Sequence, residues 1–349
     1  MKGLNQNIET ILDKKEKSLV KKKVIKAISA FVITLMLFGL VALWAVNTGS
    51  ISIGPKELME GLFVQYNEKV GTIYDLRFPR IIISILLGAA LAVSGTLFQA
   101  VLKNPLTDPG IIGISGGASF AAVAVTAFFP ILFSYLPLFA FAGGLIAFFI
   151  VYFLAWKGGV SPLRIILVGI AVSTMFGGLS SAIHTMNGGN QSSVASIVEG
   201  SITMKTWEDV HTALYYIPIC LILSILLSGK CNLLSLDDKT ARGIGVNVNR
   251  DRMIISMTGV LLASIATAVV GVVSFLGLIV PHIARILVGH NHKVLLPYSM
   301  LLGATIYLIA DTLGRTIAAP YEINASIIMA VIGGPFFILL LRRQNKYGG

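Results

Sequence analysis

Long apolar runs recur along most of this chain, and they constrain its fold more than any other feature. A helix of about 20 apolar residues spans the hydrocarbon core of a bilayer. Hydrophobic residues make up 55% of the sequence and charged residues only 12%, too few to cover a soluble protein of 349 residues. We therefore predict an all-α polytopic membrane protein with about ten transmembrane helices. The runs lie near residues 24–46, 81–102, 111–129, 137–156, 164–186, 210–228, 254–273, 276–289, 297–314 and 325–341.

The distribution of Lys and Arg predicts the orientation. The lysines between Lys14 and Lys23 precede the first apolar run, and such flanks stay in the cytoplasm. With about ten crossings the C-terminus also lies inside. This topology explains the net charge of +11 without a nucleic-acid partner. The Lys and Arg residues assigned to the outside are Lys56, Lys69, Arg77, Arg80, Lys205 and Arg315.

We expect three regions along the chain: a cytoplasmic basic segment at 1–23, a single transmembrane domain at 24–343 and a cytoplasmic tail at 344–349. The first apolar run is too long for the core of a cleaved signal peptide and is kept as a helix. No connection between the runs is long enough to form a separate catalytic domain.

The predicted membrane segments are poor in ionisable groups. Asp311 is the only carboxylate within them, and its spacing from Arg315 allows an ion pair on one helix face. Ion-coupled carriers place carboxylates or histidines at membrane depth. The energy source is therefore expected outside this chain, although an ion-coupled secondary carrier stays an alternative. The sequence contains no G-x-x-x-x-G-K-[ST] phosphate loop, so we expect no ATP hydrolysis by that route.

Residues 113–117 match the G-x-S-x-G pattern of a serine nucleophile, with Ser115 at its centre. An intramembrane serine protease would need His184 or His282 within hydrogen-bond reach of that serine. Close helix packing explains the small residues better, since Gly and Ser let helices approach in lipid. We keep the protease as a distant alternative, which loss of activity in Ser115→Ala would support.

No cofactor or metal is expected. His290 and His292 are separated by one residue, but no carboxylate or cysteine stands beside them, as a zinc site would require. Cys220 lies inside an apolar run and Cys231 just past it, a spacing that indicates neither a disulfide nor a metal site.

Two blocks of polar residues, Gly and Pro interrupt the apolar pattern. The first contains Arg77-Phe78-Pro79-Arg80 and then the paired prolines of 104–109, and the second runs from Gly271 to Arg285. Proline removes a backbone donor, and broken helices in corresponding places often bracket a transport pathway. The residues assigned to these helix breaks are Asn104, Pro105, Asp108, Pro109, Pro281 and His282.

From about Asp75 to Arg343 the chain resembles the FecCD-type permeases, the membrane subunits of type II ATP-binding-cassette (ABC) importers for iron siderophores, haem and cobalamin. The sequence departs from the family at 322–326, where Glu-Ile-Asn-Ala-Ser replaces the usual Glu-Leu/Ile-Pro-Val-Gly and changes how the last helix begins. Beyond the two blocks, the resemblance rests on the motifs at 232–238, Ala241, Gly245, 292–297, 310–315 and 333–337.

The resemblance implies a ten-helix permease in the bacterial cytoplasmic membrane. It pairs with a second copy or a paralogue, and one pathway lies at their interface. A pair of ABC ATPase subunits binds inside, and an extracytoplasmic solute-binding protein delivers cargo outside. The permease itself is not an enzyme. We expect a ferric siderophore as cargo, with haem or cobalamin as alternatives.

The resemblance also assigns roles to particular residues. The expected ATPase-coupling residues are Ser235, Leu236, Asp237, Asp238, Ala241 and Gly245. The expected cytoplasmic gate is formed by Ser161, Pro162 and Leu163. The expected docking residues for the solute-binding protein are Arg77, Arg80 and Arg315.

Overall fold

A computed structural model describes residues 2–48, 68–155, 162–187, 197 and 200–344. These described residues form helices and connections and contain no strand. The helices are α1 (Lys2–Asn47), α2 (Glu68–Val101), α3 (Ile114–Phe128), a 3₁₀ helix (Pro130–Tyr135), α4 (Leu136–Ala155), α5 (Pro162–Met186), α6 (Trp207–Leu226), α7 (Ser228–Leu234), α8 (Asp238–Gly243), α9 (Val248–Val270), α10 (Leu276–Val288), α11 (His292–Ile317) and α12 (Ala325–Gln344).

Seven spans within the described residues are long and apolar enough to cross a membrane. Three shorter apolar helices, α3, α10 and the Ala325–Leu340 part of α12, account for the remaining predicted segments. The prediction of an all-helical polytopic membrane protein is confirmed. The long spans are Lys21–Asn47, Val70–Val101, Pro130–Ala155, Arg164–Met186, Trp207–Leu226, Val248–Val270 and His292–Ile317.

Helix α2 begins at Glu68, well before the predicted start at residue 81. Pro79 lies inside this helix and leaves the carbonyl of Asp75 without its usual helical donor. The prediction placed the boundary at the first fully apolar residue. It was wrong because the polar side chains of this turn bond to other elements, which lets the helix extend through them.

Three helices form the centre of the molecule. In their most apolar windows 83% of α2, 78% of α9 and 67% of α11 is buried, against 17% of α1 and 28% of α5 and α6. The central helices therefore pack against protein on most sides. The apolar outer faces of α1, α5 and α6 are left for lipid or for another chain.

Glycines allow two of the central crossings. A Cβ on Gly88 of α2 would overlap the carbonyl of Gly303 in α11, and a Cβ on Gly95 would overlap that of Gly277 in α10. In lipid, helices associate through such close approaches because no hydrophobic force draws them together. Helix α2 is thus held between α10 and α11 by backbone contact.

The connection between α2 and α3 is the first helix break, as predicted. The side chain of Asn104 accepts a hydrogen bond from the Leu106 amide at 3.0 Å, and Oδ1 of Asp108 accepts one from the Gly110 amide at 2.8 Å. Asn104 and Asp108 thereby satisfy amides that the paired prolines Pro105 and Pro109 take out of helical bonding.

The second break lies at 271–275, between α9 and α10, where Gly271 (φ 87°) and Phe275 (φ 67°) adopt positive φ angles. The prediction of a break at Pro281 and His282 is wrong, because both lie inside α10. Pro281 has no amide to offer the carbonyl of Gly277, and the side chain of Gln99 donates to that carbonyl instead at 3.2 Å. A donor from α2 therefore allows α10 to continue through its proline.

Candidate functional site

A buried ionic cluster joins α2 to the end of α11. The Arg80 guanidinium lies 2.8 Å (Nη2) from Oδ1 of Asp311 and 2.7 Å (Nη1) from Oε2 of Glu322. Arg315 completes the cluster at 3.3 Å from Oδ2 of Asp311, which confirms the same-face ion pair predicted from their spacing. Asp311 is fully buried, where an unpaired charge would be costly. The two arginines compensate its charge.

The structure thus gives the three predicted docking arginines different surroundings. Arg80 and Arg315 are buried and hold carboxylates of their own chain. Arg77 is half-buried and donates to the carbonyl of Val46, the penultimate residue of α1, at 2.6 Å. A docking role for all three stays a prediction, and Arg77 is the one not committed to a carboxylate within the described residues.

Sequence reasoning missed the part that Glu322 plays in this cluster. Its carboxylate also accepts a hydrogen bond from Thr203 at 3.3 Å, and its side chain is 41% exposed. Glu322 matches the first residue of the family pattern, two positions before the departure at Asn324, and lies just before α12 begins at Ala325. The signal available in the sequence was an acidic residue close to Arg315 on the predicted outer side.

On the opposite side of the bundle, α7 and α8 form the segment predicted to couple to an ATPase. Asp237 caps α8 by accepting from the amide of Lys239, and the Val246 amide donates back to the carbonyl of Ala241 at 3.0 Å. Gly245 has a φ of 84°, as expected after a helix stop. The predicted short helix with its glycine stop is confirmed, while its contact with an ATPase stays a prediction.

The segment formed by α7 and α8 contains both buried and exposed residues. Ala241 is 1% exposed and faces the core of the chain, whereas Ser235, Leu236, Asp237 and Gly245 are exposed. A partner at this surface would therefore contact the exposed residues, and Ala241 would support them from beneath. Burial lowers the acidity of the neighbouring Cys231 thiol, raising its pKa to about 12, so Cys231 is an inert core residue.

Two further contacts fasten α7 to the membrane helices. Lys230 lies 2.8 Å from Asp251 in the first turn of α9. Asn232 accepts from both the amide and Nδ1 of His292, at 2.8 and 2.9 Å, at the start of α11. The Nδ1 atom of His292 is thus occupied by an amide side chain, and the described residues contain no group of three His, Cys, Asp or Glu that could hold a metal.

Ser115 lies in the first turn of α3 and is 1% exposed, with no hydrogen-bond partner for its hydroxyl among the described residues. A Cβ on the nearby Gly117 would lie 2.5 Å from the carbonyl of Gly143 in α4, and one on Gly116 would lie 3.1 Å from Ser173 in α5. The interpretation of this motif as close helix packing is confirmed.

The predicted gate falls largely outside what the structure describes. Ser161 lies outside the described residues, and Pro162 and Leu163 open α5 without a description of their side chains. Farther along α5, small and polar residues are exposed on one face, including Thr174, Gly177, Gly178 and Ser181. Among the described residues, no atom outside the neighbouring backbone of α5 lies within 4 Å of a Cβ added at either glycine, so the described part of the chain leaves this face open.

Long apolar helices, two connections that break them and exposed small and polar residues on the otherwise apolar α5 are typical of a polytopic membrane transport protein. The sequence profile of the FecCD transport family matches residues 34–343, and the chain belongs to this family. It is accordingly a membrane permease subunit of an ABC importer of the type II class.

Individual relatives are similar over nearly the whole chain. The "Probable heme-iron transport system permease protein IsdF" of Staphylococcus aureus, strains MSSA476 and Newman, is 43% identical over 299 residues, which cover 86% of this chain and 91% of the relative.

Two solved structures share the fold. One, described as an inward-facing conformation of a metal-chelate type ABC transporter, has 31% identity and a TM-score of 0.74 over 89% of this chain and 97% of that chain. The other, PsaBC from Streptococcus pneumoniae in complex with Fab, has 20% identity and a TM-score of 0.56 over 81% and 94%.

Proposed function

We propose that this chain forms the translocation pathway of an ATP-driven importer for haem-iron. The observation that carries the proposal is the 43% identity, over 86% of the chain, to permeases named for heme-iron transport. The sequence alone favoured a ferric siderophore, with haem or cobalamin as alternatives. The relatives favour haem, and the siderophore becomes an alternative that is compatible with the metal-chelate description of the 31% identical transporter.

The proposed topology has ten crossings with both termini in the cytoplasm. Seven long and three shorter apolar helices support this number. The orientation rests on the basic flank before α1. In this orientation α7 and α8 face the cytoplasm, and the Arg80–Asp311 cluster lies on the outer side.

The pathway is proposed to lie at the interface with a second permease, either another copy or a paralogue. The open face of α5 supports this placement, since small and polar residues such as Thr174, Gly178 and Ser181 favour contact between helices over contact with lipid. A large cargo needs a path wider than the interior of this chain, whose central helices are closely packed. An interface between two permeases provides it.

The energy is proposed to come from a pair of ATPase subunits bound at the exposed residues of 234–248. ATP binding closes the ATPase pair and shifts the permeases between two states through their differential affinity. A solute-binding protein is proposed to dock at the outer arginines, with Arg77 as the most available contact. The permease provides the pathway and performs no bond chemistry.

Reconstitution into proteoliposomes tests the proposal. The chain is reconstituted with its ATPase pair and binding protein, and uptake of haem, a ferric siderophore and cobalamin is measured with and without ATP. We expect ATP-dependent uptake of haem that Ser115→Ala leaves intact. Uptake driven by an ion gradient without ATPase would contradict the proposal in favour of a secondary carrier, and siderophore uptake without haem uptake would contradict the cargo.

A further inference from the structure

A single carboxylate on α8 binds two cations, one from the connection that follows α2 and one from α9. Oδ1 of Asp238 lies 2.8 Å from Nζ of Lys103 and 2.9 Å from Nη2 of Arg252. Lys103 also donates to the carbonyl of Leu236 at 2.6 Å. Together these bonds hold the start of α8 from two sides.

Lys103 and Arg252 belong to different parts of the chain. Lys103 follows the end of α2 at Val101 and immediately precedes Asn104, and its backbone has a positive φ of 49°. Arg252 lies near the start of α9. The hydrogen bond from Lys103 lowers the pKa of Asp238 against a smaller opposing effect of burial, and Arg252 lowers it further. The carboxylate is therefore charged at neutral pH.

The contacts continue from Lys103 into the membrane. One turn earlier in α2, the side chain of Gln99 donates to the carbonyls of Thr107 and Gly277, at 3.1 and 3.2 Å, and accepts from Arg285. Asp108 packs against the same Gly277, where an added Cβ would lie 2.8 Å from its Oδ2. A continuous set of contacts thus runs from α8, through the 102–113 connection, to the first turn of α10 after the second helix break.

We propose that Lys103, Asp238 and Arg252 form the linkage that transmits movement of the ATPase-binding segment to the 102–113 connection and to the start of α10. This inference rests on the proposed function, in which the segment 234–248 receives the ATPase. Displacement of α8 pulls on Lys103 and Arg252 through one shared carboxylate, so the ends of α2 and α9 move with it. Asp238 and Lys103 are positioning residues, since neither contacts cargo or nucleotide.

If these three side chains served only to stabilise the fold, their removal would lower the stability of the protein. The three side chains are 32–36% exposed, and ion pairs of this exposure contribute little to stability. Their removal should therefore leave the fold intact while it disconnects α8 from α2. Lys230 provides a matched control. Its pair with Asp251 has the same length, 2.8 Å, and joins α7 to α9; Lys230 is 38% exposed and Asp251 11%.

The test measures cargo transported per ATP hydrolysed by the complete transporter in proteoliposomes, with haem as cargo. We expect Lys103→Met and Asp238→Asn to lower this ratio at least fivefold while the ATPase co-purifies in wild-type amounts. Lys103→Arg should keep the ratio within twofold of wild type, because it retains the charge and the donors. Lys230→Met should also stay within twofold.

Other outcomes overturn the inference. A wild-type ratio in Lys103→Met does so. An equal loss in Lys103→Arg also does so, because that variant retains the charge and the donors. An equal loss in Lys230→Met would indicate a general effect of surface charge and overturns the inference as well. If Lys103→Met is not recovered folded, Lys103→Gly removes the amine while suiting the positive φ, and a wild-type ratio there is equally decisive. Failure of the wild-type chain to bind an ATPase would instead overturn the proposed function itself.

Discussion

Arg80 of α2 and Asp311 of α11 form a buried ion pair with 2.8 Å between Nη2 and Oδ1, although 231 positions separate them in the chain. Arg315 shares the same carboxylate, and Glu322 binds the far side of Arg80. One buried carboxylate therefore anchors two arginines. The cluster ties the most buried helix to the connection that precedes α12.

Replacing Asp311 should be among the most destabilising single changes in the protein. Asp311→Asn leaves two buried guanidinium groups with Glu322 as their remaining carboxylate, and breaking a buried pair typically costs about 3–5 kcal/mol. Thermal unfolding of purified protein in detergent would measure the loss. Glu322→Gln serves as the control and should cost less, since Glu322 is 41% exposed. Equal midpoints for wild type and Asp311→Asn would show that the cluster does not stabilise the fold.

The crossing of α2 and α11 depends on the absence of a side chain at Gly88. Gly88→Ala would place a methyl group against the backbone carbonyl of Gly303, and overpacking of this kind typically costs about 1–3 kcal/mol. Gly39→Ala in α1 is the matched control, because its Cβ meets no atom of another described element within 4 Å. Thermal unfolding should separate the two variants, and equal stability would argue against backbone contact at this crossing.

Asp108 should make stability depend on pH. It lies in the connection between α2 and α3, where burial raises its pKa from 3.8 to about 6 despite amide hydrogen bonds that lower it. As the pH falls, Asp108 is therefore protonated at a higher pH in the folded state than in the unfolded state. The resulting stability is fully present below about pH 4 and is lost as the pH rises through 6, by at most about 3 kcal/mol.

The variant Asp108→Asn isolates this effect. It keeps an acceptor for the Gly110 amide and removes the titration. The change in unfolding midpoint between pH 5 and pH 7 should be smaller than in wild type. Asp237→Asn, at an exposed cap, should follow the wild-type curve. Parallel curves for Asp108→Asn and wild type would contradict the assignment.

Arg77 provides the cleanest test of binding-protein docking. Arg80→Glu would also break the buried cluster, whereas Arg77 bonds only to the carbonyl of Val46 among the described residues. We expect Arg77→Glu to weaken the affinity of the binding protein for the transporter in nanodiscs at least about tenfold, most strongly at low salt. Lys205→Glu, near Asp209, controls for charge alone, and an equal loss there would refute a specific docking role.

The face of α5 should be an interface between two permeases. Gly178→Trp would fill the space that this face leaves open and should reduce the dimer fraction of the purified permease, measured by light scattering. Leu214→Trp, on the exposed surface of α6, is the control and should leave the dimer intact. An unchanged dimer in Gly178→Trp would move the interface to another helix.

The sequence by itself determined the class of fold and the positions of most helices. Hydropathy is a local property, and a run of about 20 apolar residues has few alternatives to a membrane helix. The paired prolines at 104–109 likewise predicted the first break, because proline acts on its own turn. The spacing of Asp311 and Arg315 predicted their ion pair for the same reason, since both lie on one helix face.

Only the tertiary structure decided which distant groups meet. Pro281 does not break α10 because Gln99 of α2 donates to the Gly277 carbonyl, and no local pattern contains that donor. The partners of Arg80 and of Asp238 likewise come from other helices, brought within 3 Å by packing. Hydropathy specifies that a helix is buried but not which neighbour it faces. That choice is made by the shapes of the packed surfaces, such as the glycines that let α2 lie against α10 and α11.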